Sequence, residues 1–318
     1  MGKSNIIMKQ FLRNRKRFAD LFNGVLFEGM QIVNSEELQE IDSESSMITV
    51  DKHGVKRGLQ KYRDITMLWK EGVKLVVLAC ENQNKIHYAM PVRMMLYDGL
   101  SYSDQIRQIW QKDGKQRKLS SEEFLSGFGK EDKIYPVISI VFYYGVEKWD
   151  ASIDLYGMFH EELFEKHQSI LKKYIPNYPL NLIDVGEITA IDNFRTDLQL
   201  IFGMLQYKNE MNKMREYVNQ HHNYFSNIDL ETYLAIGELL HSESKMKITG
   251  KRSNEEGMDM CKALDDLYNS GVNAGIEQGI CAFVEACKEI GLSKETICAK
   301  LKEKFSVTEE KAAEYLEK

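Results

Sequence analysis

The chain has 318 residues, 43% hydrophobic and 28% charged, with a formal net charge of −6. This is enough chain and apolar content for two domains or one decorated domain, and the charge does not advertise a nucleic-acid binder, although binding follows local patches rather than totals. No apolar run approaches the ~20 residues of a membrane span, and no apolar h-region follows the basic N-terminus, so a cytoplasmic chain is expected with no membrane partner.

Taken in order, residues 5–24 read as one helix, with Ile6, Ile7, Phe11, Phe18, Leu21 and Phe22 at near-helical spacing and Gly24 or Gly29 as its stop. It carries the densest basic cluster, Lys9, Arg13, Arg15, Lys16 and Arg17. That cluster fits a phosphate contact and fits a solvated helix face at least as well. The acidic, serine-rich 35–46 reads as an exposed helix or loop, 47–51 as a short strand, and Lys52-His53-Gly54 as a turn.

Residues 62–69 and 74–80 are rich in β-branched and large apolar side chains and flank Lys70-Glu71-Gly72-Val73, which predicts an antiparallel hairpin. A turn centred on Glu71-Gly72 sets Tyr62 opposite Glu81 and Asp64 opposite Ala79. Asp64, Glu81 and Gln83 then share one face. A slip of one residue sends Glu81 to the other face. LVVLAC is apolar on both faces and predicts a central strand, where a terminal carboxylate needs a partner such as a divalent cation. Hard oxygen ligands suit Mg²⁺ or Mn²⁺, which also bind phosphates. The same residues fit a plainer reading, with Glu81 as a solvated strand end and Asp64 paired with Arg63 or Arg93, and their spacing alone does not choose.

A helix over about 88–112 follows, with Pro91 in its first turn and Arg93 and Tyr97 on one face. Residues 112–118 form a basic turn or loop. A strong strand follows over 134–145, with Tyr143, Tyr144 and Trp149 placed either to stack on bases or to close the rim of a core. Residues 154–173 read as a helix and 180–188 as an edge strand; from about Asp192 the chain is helical, with a linker at 246–254. Gly271, Gly275 and Gly279 recur every four residues, which suggests close helix packing or a hinge. Ser293 and Thr308 read as N-caps of helices over 294–305 and 309–317, the last too acidic for a major-groove reader. The five cysteines, Cys80, Cys261, Cys281, Cys287 and Cys298, form no CxxC and are read as free thiols in a reducing compartment.

The order of these elements resembles the PD-(D/E)XK nuclease fold, and more narrowly the recombination-promoting nuclease and putative transposase (Rpn) family of bacteria and their mobile elements. The likeness is carried by RFADLFNGVL, YRDITMLW, LVVLACENQNKIHYAMPVRMMLYDGLSY and PVISIVFYYGVEKWD, and it spans roughly Phe11 to Leu240. The resemblance implies an α/β fold: a restriction-endonuclease-like core with a mixed central sheet flanked by helices, over 1–245, and an all-helical C-terminal extension over 246–318. It implies that Asp64 and Glu81 are the two metal-binding carboxylates, that the Asn82 carbonyl is a further ligand, and that Asp20 is a weaker third candidate. Gln83 stands where the wider superfamily has lysine, a departure the Rpn family shares. The missing positive charge then falls to Arg93 or Lys85. Arg63 replaces the superfamily's proline before Asp64.

The expected function is a Mg²⁺- or Mn²⁺-dependent DNA endonuclease of low sequence specificity that promotes recombination or transposition, with Asp64, Glu81, Gln83 and Arg93 as catalytic residues. The alternative is a catalytically inactive DNA- or protein-binding module. The C-terminal helices are a candidate surface for homo-oligomerisation or a partner.

Overall fold

The computed structural model describes residues 3–41, 44–50, 56–62, 65–69, 73–80, 86–113, 120–242, 246 and 257–317. Two compact units divide them, residues 1–210 with 229–243 and residues 211–228 with 244–318.

The first unit opens with α1 (Lys3–Arg13) and α2 (Arg15–Val25) where one helix was expected. Asn14 makes the break. Its side-chain oxygen accepts from the backbone N–H of Lys16 at 3.0 Å and of Arg17 at 3.4 Å, capping α2. An asparagine that can satisfy orphan donors of a new helix competes with continuing the old one. Of the apolar stripe read from the sequence, Phe11, Phe18, Leu21 and Phe22 are fully buried, but Ile6 is 49% exposed, and Met8 and Leu12 take the buried positions of α1 instead.

Among the described residues seven strands follow: β1 (Leu38–Glu40), β2 (Glu44–Val50), β3 (Lys56–Tyr62), β4 (Ile65–Trp69), β5 (Val73–Cys80), β6 (Val137–Tyr143) and β7 (Asn181–Asp184). Five make one mixed sheet in the order β1-β4-β5-β6-β7. The β1–β4 and β4–β5 pairs are antiparallel, and β5–β6 and β6–β7 are parallel. β5 is central and β7 lies at the edge, as the apolar patterning implied. Separately, β2 and β3 pair as an antiparallel hairpin.

The register of β4 on β5 differs from the expectation by one residue. Ile65 pairs with Val77 and Trp69 with Val73, whereas a turn centred on 71–72 would set Ile65 against Leu78. The shared-face derivation for Asp64, Glu81 and Gln83 assumed that turn, so it loses its premise. Strand 62–69 is likewise two segments: β3 ends at Tyr62 in the hairpin sheet, and β4 begins at Ile65 in the main sheet.

Parallel neighbours need crossovers. The first, from β5 to β6, contains α3 (Met90–Asp113) and the short α4 (Ser121–Ser126). The second, from β6 to β7, contains α5 (Glu161–Leu171), which starts later than expected because Asp154 bridges to Pro179 and accepts from the Gly157 N–H and the Asn177 amide. The two faces of β6 go to different helices. Val141 packs with Met90, Met94 and Tyr97 of α3. Phe142 faces the other way, toward Phe202 of α6 (Leu198–Leu205) at 6.5 Å between ring centroids. α1 packs against β4, β5 and α9 (Leu230–Leu239). The result is a mixed α/β unit, and the described chain as a whole is largely helical.

The second unit holds α7 (Met211–Gln220), α8 (His222–Phe225), α10 (Met260–Glu289), α11 (Lys294–Phe305) and α12 (Glu309–Glu317). The last two match the sequence reading to the residue, and the Ser293 hydroxyl accepts from the Thr296 N–H as the cap requires. Ile280, Val284, Cys287, Ile297, Leu301 and Ala312 form their common core. Gly271, Gly275 and Gly279 sit inside the unbroken α10, and a Cβ at any of them meets nothing within 4 Å. They neither hinge the helix nor bring another described helix into close contact.

Candidate functional site

β5, β6 and β7 run parallel and finish side by side, with Cys80 paired to Tyr143 and Tyr143 to Asp184. The carboxyl ends of parallel strands are where open α/β sheets bind ligands. β4 begins next to this end, with Ile65 paired to Val77, three residues short of Cys80. In the chain Asp64 directly precedes Ile65, and Glu81-Asn82-Gln83 directly follows Cys80. Asp64, Glu81, Asn82, Gln83 and Lys85 themselves lie outside the described residues.

α3 starts at the same end. Pro91 is in its first turn, as expected, and the Arg93 N–H bonds back to the Ala89 carbonyl at 3.1 Å. Arg93 is half-buried. Its Nε donates to the Tyr97 hydroxyl at 3.1 Å, and its guanidinium carbon lies 5.4 Å from the centre of that ring. Among the described residues no carboxylate forms an ion pair with it. The cation is felt nearby, because burial first and the Arg93 charge second hold the His87 imidazole below its ordinary pKa. His87 therefore favours its neutral form, which adds no second positive charge beside Arg93.

The segment after β6 folds back over the strand ends. The Tyr143 hydroxyl donates to the Glu147 carbonyl at 2.5 Å, which leaves no room for a side chain at position 145, where a Cβ would stand 2.2 Å from that oxygen. Asp184, at the end of β7, accepts from the Trp149 N–H at 3.2 Å and from the Gly186 N–H at 3.0 Å. The Trp149 ring meets Tyr143 edge-on at 5.1 Å, and its Nε1 donates to the Ala151 carbonyl at 3.0 Å. The Tyr88 hydroxyl donates to Asp150 at 3.4 Å. Burial, then the charges of Asp184, Glu147 and Asp150, push the Tyr143 phenol up; Asp150 does the same to Tyr88.

These contacts decide between two readings of the aromatic residues. Tyr143 and Tyr144 are buried and close the core, so base stacking is not their task. Tyr88, 64% exposed, is the aromatic ring this end presents to solvent most fully among those described. Sequence reasoning passed over Tyr88, Asp150 and Asp184. The signal for Asp184 was present, because it closes the strand-like run LNLI as Glu81 follows LVVLAC.

Asp20 stands elsewhere. It is buried at 2% exposure on α2. Its oxygens accept from the backbone N–H groups of Arg195 at 2.9 Å and Thr196 at 2.7 Å and from the Thr196 hydroxyl at 2.5 Å. The structure thus gives Asp20 the task of anchoring the segment that leads into α6. Beside it, Arg17 is buried against Asp197, with Nε–Oδ1 at 3.0 Å and Nη2–Oδ2 at 2.7 Å, and it also donates to Thr232 at 2.7 Å and Glu231 at 3.4 Å. Lys9 is likewise buried, at 8% exposure, whereas Arg13, paired with Glu40 at 3.1 Å, and Arg15 and Lys16 are exposed, so the basic cluster is divided between the fold and the surface. Among the described residues no group of three or more His, Cys, Asp or Glu side chains is placed to hold a metal ion.

The family model described as "Putative transposase, YhgA-like" matches residues 5–233. The match covers most of the chain, so the chain belongs to that family. No curated protein and no solved structure matches it. Among the described residues no helix is long and apolar enough to cross a membrane.

Proposed function

We propose that this member of the YhgA-like transposase family is a Mg²⁺- or Mn²⁺-dependent DNA endonuclease of the PD-(D/E)XK type, cutting with little sequence preference in the course of transposition or recombination. The family match supports the transpositional setting. The sheet supports the fold assignment, with a mixed antiparallel-then-parallel order and a long crossover helix between two parallel strands. The observation that carries the reading is Arg93, a half-buried guanidinium with no carboxylate partner among the described residues, at the strand ends that chain connectivity joins to Asp64 and Glu81. Holding a cation out of bulk water without a counter-charge is costly, and a site for phosphate is a reason to do so.

In this reading Asp64 and Glu81 hold the metal with the Asn82 carbonyl, and the metal supplies charge neutralisation at the scissile phosphate. Gln83 orients water by hydrogen bonding. Arg93 takes the electrostatic role of the superfamily's lysine, donating to a non-bridging phosphate oxygen while Tyr97 holds its Nε. Asp20 is not required. The C-terminal helices would serve assembly of the protein with a second copy or a partner.

One observation favours a second reading, a silent DNA- or protein-binding module. The β4–β5 register removes the derivation that set the two carboxylates on one face. Plasmid nicking separates the two. Wild type should convert supercoiled DNA to open circles only with Mg²⁺ or Mn²⁺, and Asp64→Ala and Glu81→Ala should each lose the activity. DNA binding by wild type without cleavage would establish the silent module instead.

A further inference from the structure

Helices usually lie on sheets through apolar contacts, which tolerate sliding. The contact of α3 with β6 is different in its second half. Asp98, Tyr102 and Gln105 fall at i, i+4 and i+7, on one face of the helix. Each is tied to an alternate position of the run that forms β6. The Ser139 hydroxyl donates to Asp98 Oδ1 at 2.7 Å. The Val137 N–H donates to the Tyr102 hydroxyl at 3.1 Å. Gln105 donates to the Tyr135 carbonyl at 3.0 Å and accepts from the Tyr135 N–H at 2.8 Å. Residues 98 to 105 rise about 10 Å along a helix and the extended run 139 to 135 spans about 13 Å, a difference that the long Tyr102 and Gln105 side chains bridge over this length. The Tyr178 hydroxyl closes the ladder by donating to Asp98 Oδ2, and Asp98 and Ser139 are each only 7% exposed.

We infer that Asp98, through this ladder, is a positioning residue that fixes the axial register of α3 on β6 and thereby sets where Arg93 and Tyr97 stand at the strand ends. Arg93 and Tyr97 lie in the turns just before Asp98 on the same helix, so displacement of Asp98 along the helix axis is displacement of Arg93. The apolar half of the contact, Met90 and Met94 on Val141, supplies adhesion. A shift by one helical turn could rebuild such apolar contact, but it breaks every rung of the ladder, because buried polar partners have few alternative positions. The catalytic consequence rests on the endonuclease reading; the register itself does not.

The test uses the full chain with Asp98→Asn and Tyr178→Phe, and Val141→Ala as the control that weakens the same helix–strand contact without removing a rung. The first readout is the Arg93 Nε–H resonance by ¹⁵N NMR, assigned with Arg93→Lys. Its shift should change and its hydrogen exchange should quicken about tenfold in both ladder variants, while Val141→Ala keeps both. The second readout is single-turnover DNA cleavage. Ladder variants should lose between about ten- and a hundredfold in maximal rate at unchanged half-saturation, as expected when a group is held about 1 Å out of place. An unaltered Arg93 resonance in Asp98→Asn and Tyr178→Phe overturns the inference, as does equal disturbance by Val141→Ala. Should wild type not cleave, the endonuclease reading fails and the resonance still decides the register.

Discussion

Two arginines of the first unit differ in what surrounds them, one buried and the other half-buried. Arg17 is enclosed: Asp197 binds it through two nitrogens, Thr232 and Glu231 take further bonds, and Phe11 stacks beneath it at 4.3 Å. Arg93 has a phenol beside it and, among the described residues, no carboxylate. Arg17 comes from the basic cluster of the first helices and Arg93 from the apolar stretch that opens α3, and their partners distinguish them further. Asp20 belongs to the Arg17 side of this contrast. Its acceptor positions are used on Arg195 and Thr196, so an acidic residue that resemblance placed near a metal is instead part of the network that seats α6. In the proposed function the neutralised Arg17 is a structural centre and Arg93, without a carboxylate among the described residues, is the place for an anion.

The contrast can be broken at its structural end first. Arg17→Ala should destabilise the protein by about 3 kcal/mol or more in urea unfolding, because it removes the guanidinium that Asp197 binds through two nitrogens in a water-poor site. A loss below about 1 kcal/mol would make the enclosed arginine as dispensable as a surface pair and remove the contrast.

A smaller effect lies at the open end. Arg93→Gln should raise the His87 pKa back toward its ordinary 6.5, read from the imidazole proton shifts by NMR, since the second of the two causes that lower it is removed and burial remains. A histidine whose folded pKa lies below its unfolded value contributes fully above the unfolded value, and that contribution is lost as pH falls through the lower folded value. Acid-side loss of stability should therefore be milder in Arg93→Gln than in wild type. An unmoved His87 would mean that the guanidinium does not face this histidine.

Much of the fold was legible in the sequence for identifiable reasons. LVVLAC, apolar on both faces, forecast the central strand, and Pro91 and the long apolar periodicity after it forecast α3 nearly to its ends. Ser293 and Thr308 forecast the last two helices because caps are local. What failed depended on partners distant in sequence or on one local competitor. Asn14 broke a helix that periodicity alone would continue. Asp154 was drawn out of a helix by Asn177 and Pro179, which are remote from it in the chain. The hairpin register turned on one residue of a turn, the kind of detail that composition cannot set. At the candidate site, Arg93 and Tyr97 were legible from their spacing. Asp184, Asp150 and Tyr88 gather only once the parallel strands end together.

In the proposed function Arg93 is held for phosphate and not for the fold. Metal-dependent cleavage, urea unfolding and the salt dependence of DNA binding, measured on wild type and Arg93→Gln together, test it most directly. The variant should unfold within about 1 kcal/mol of wild type, its binding should lose about one unit of slope against log salt, and its cleavage should fall by about a hundredfold or more. Cleavage and salt dependence equal to wild type, or a loss of activity matched by a loss of folding, would contradict it.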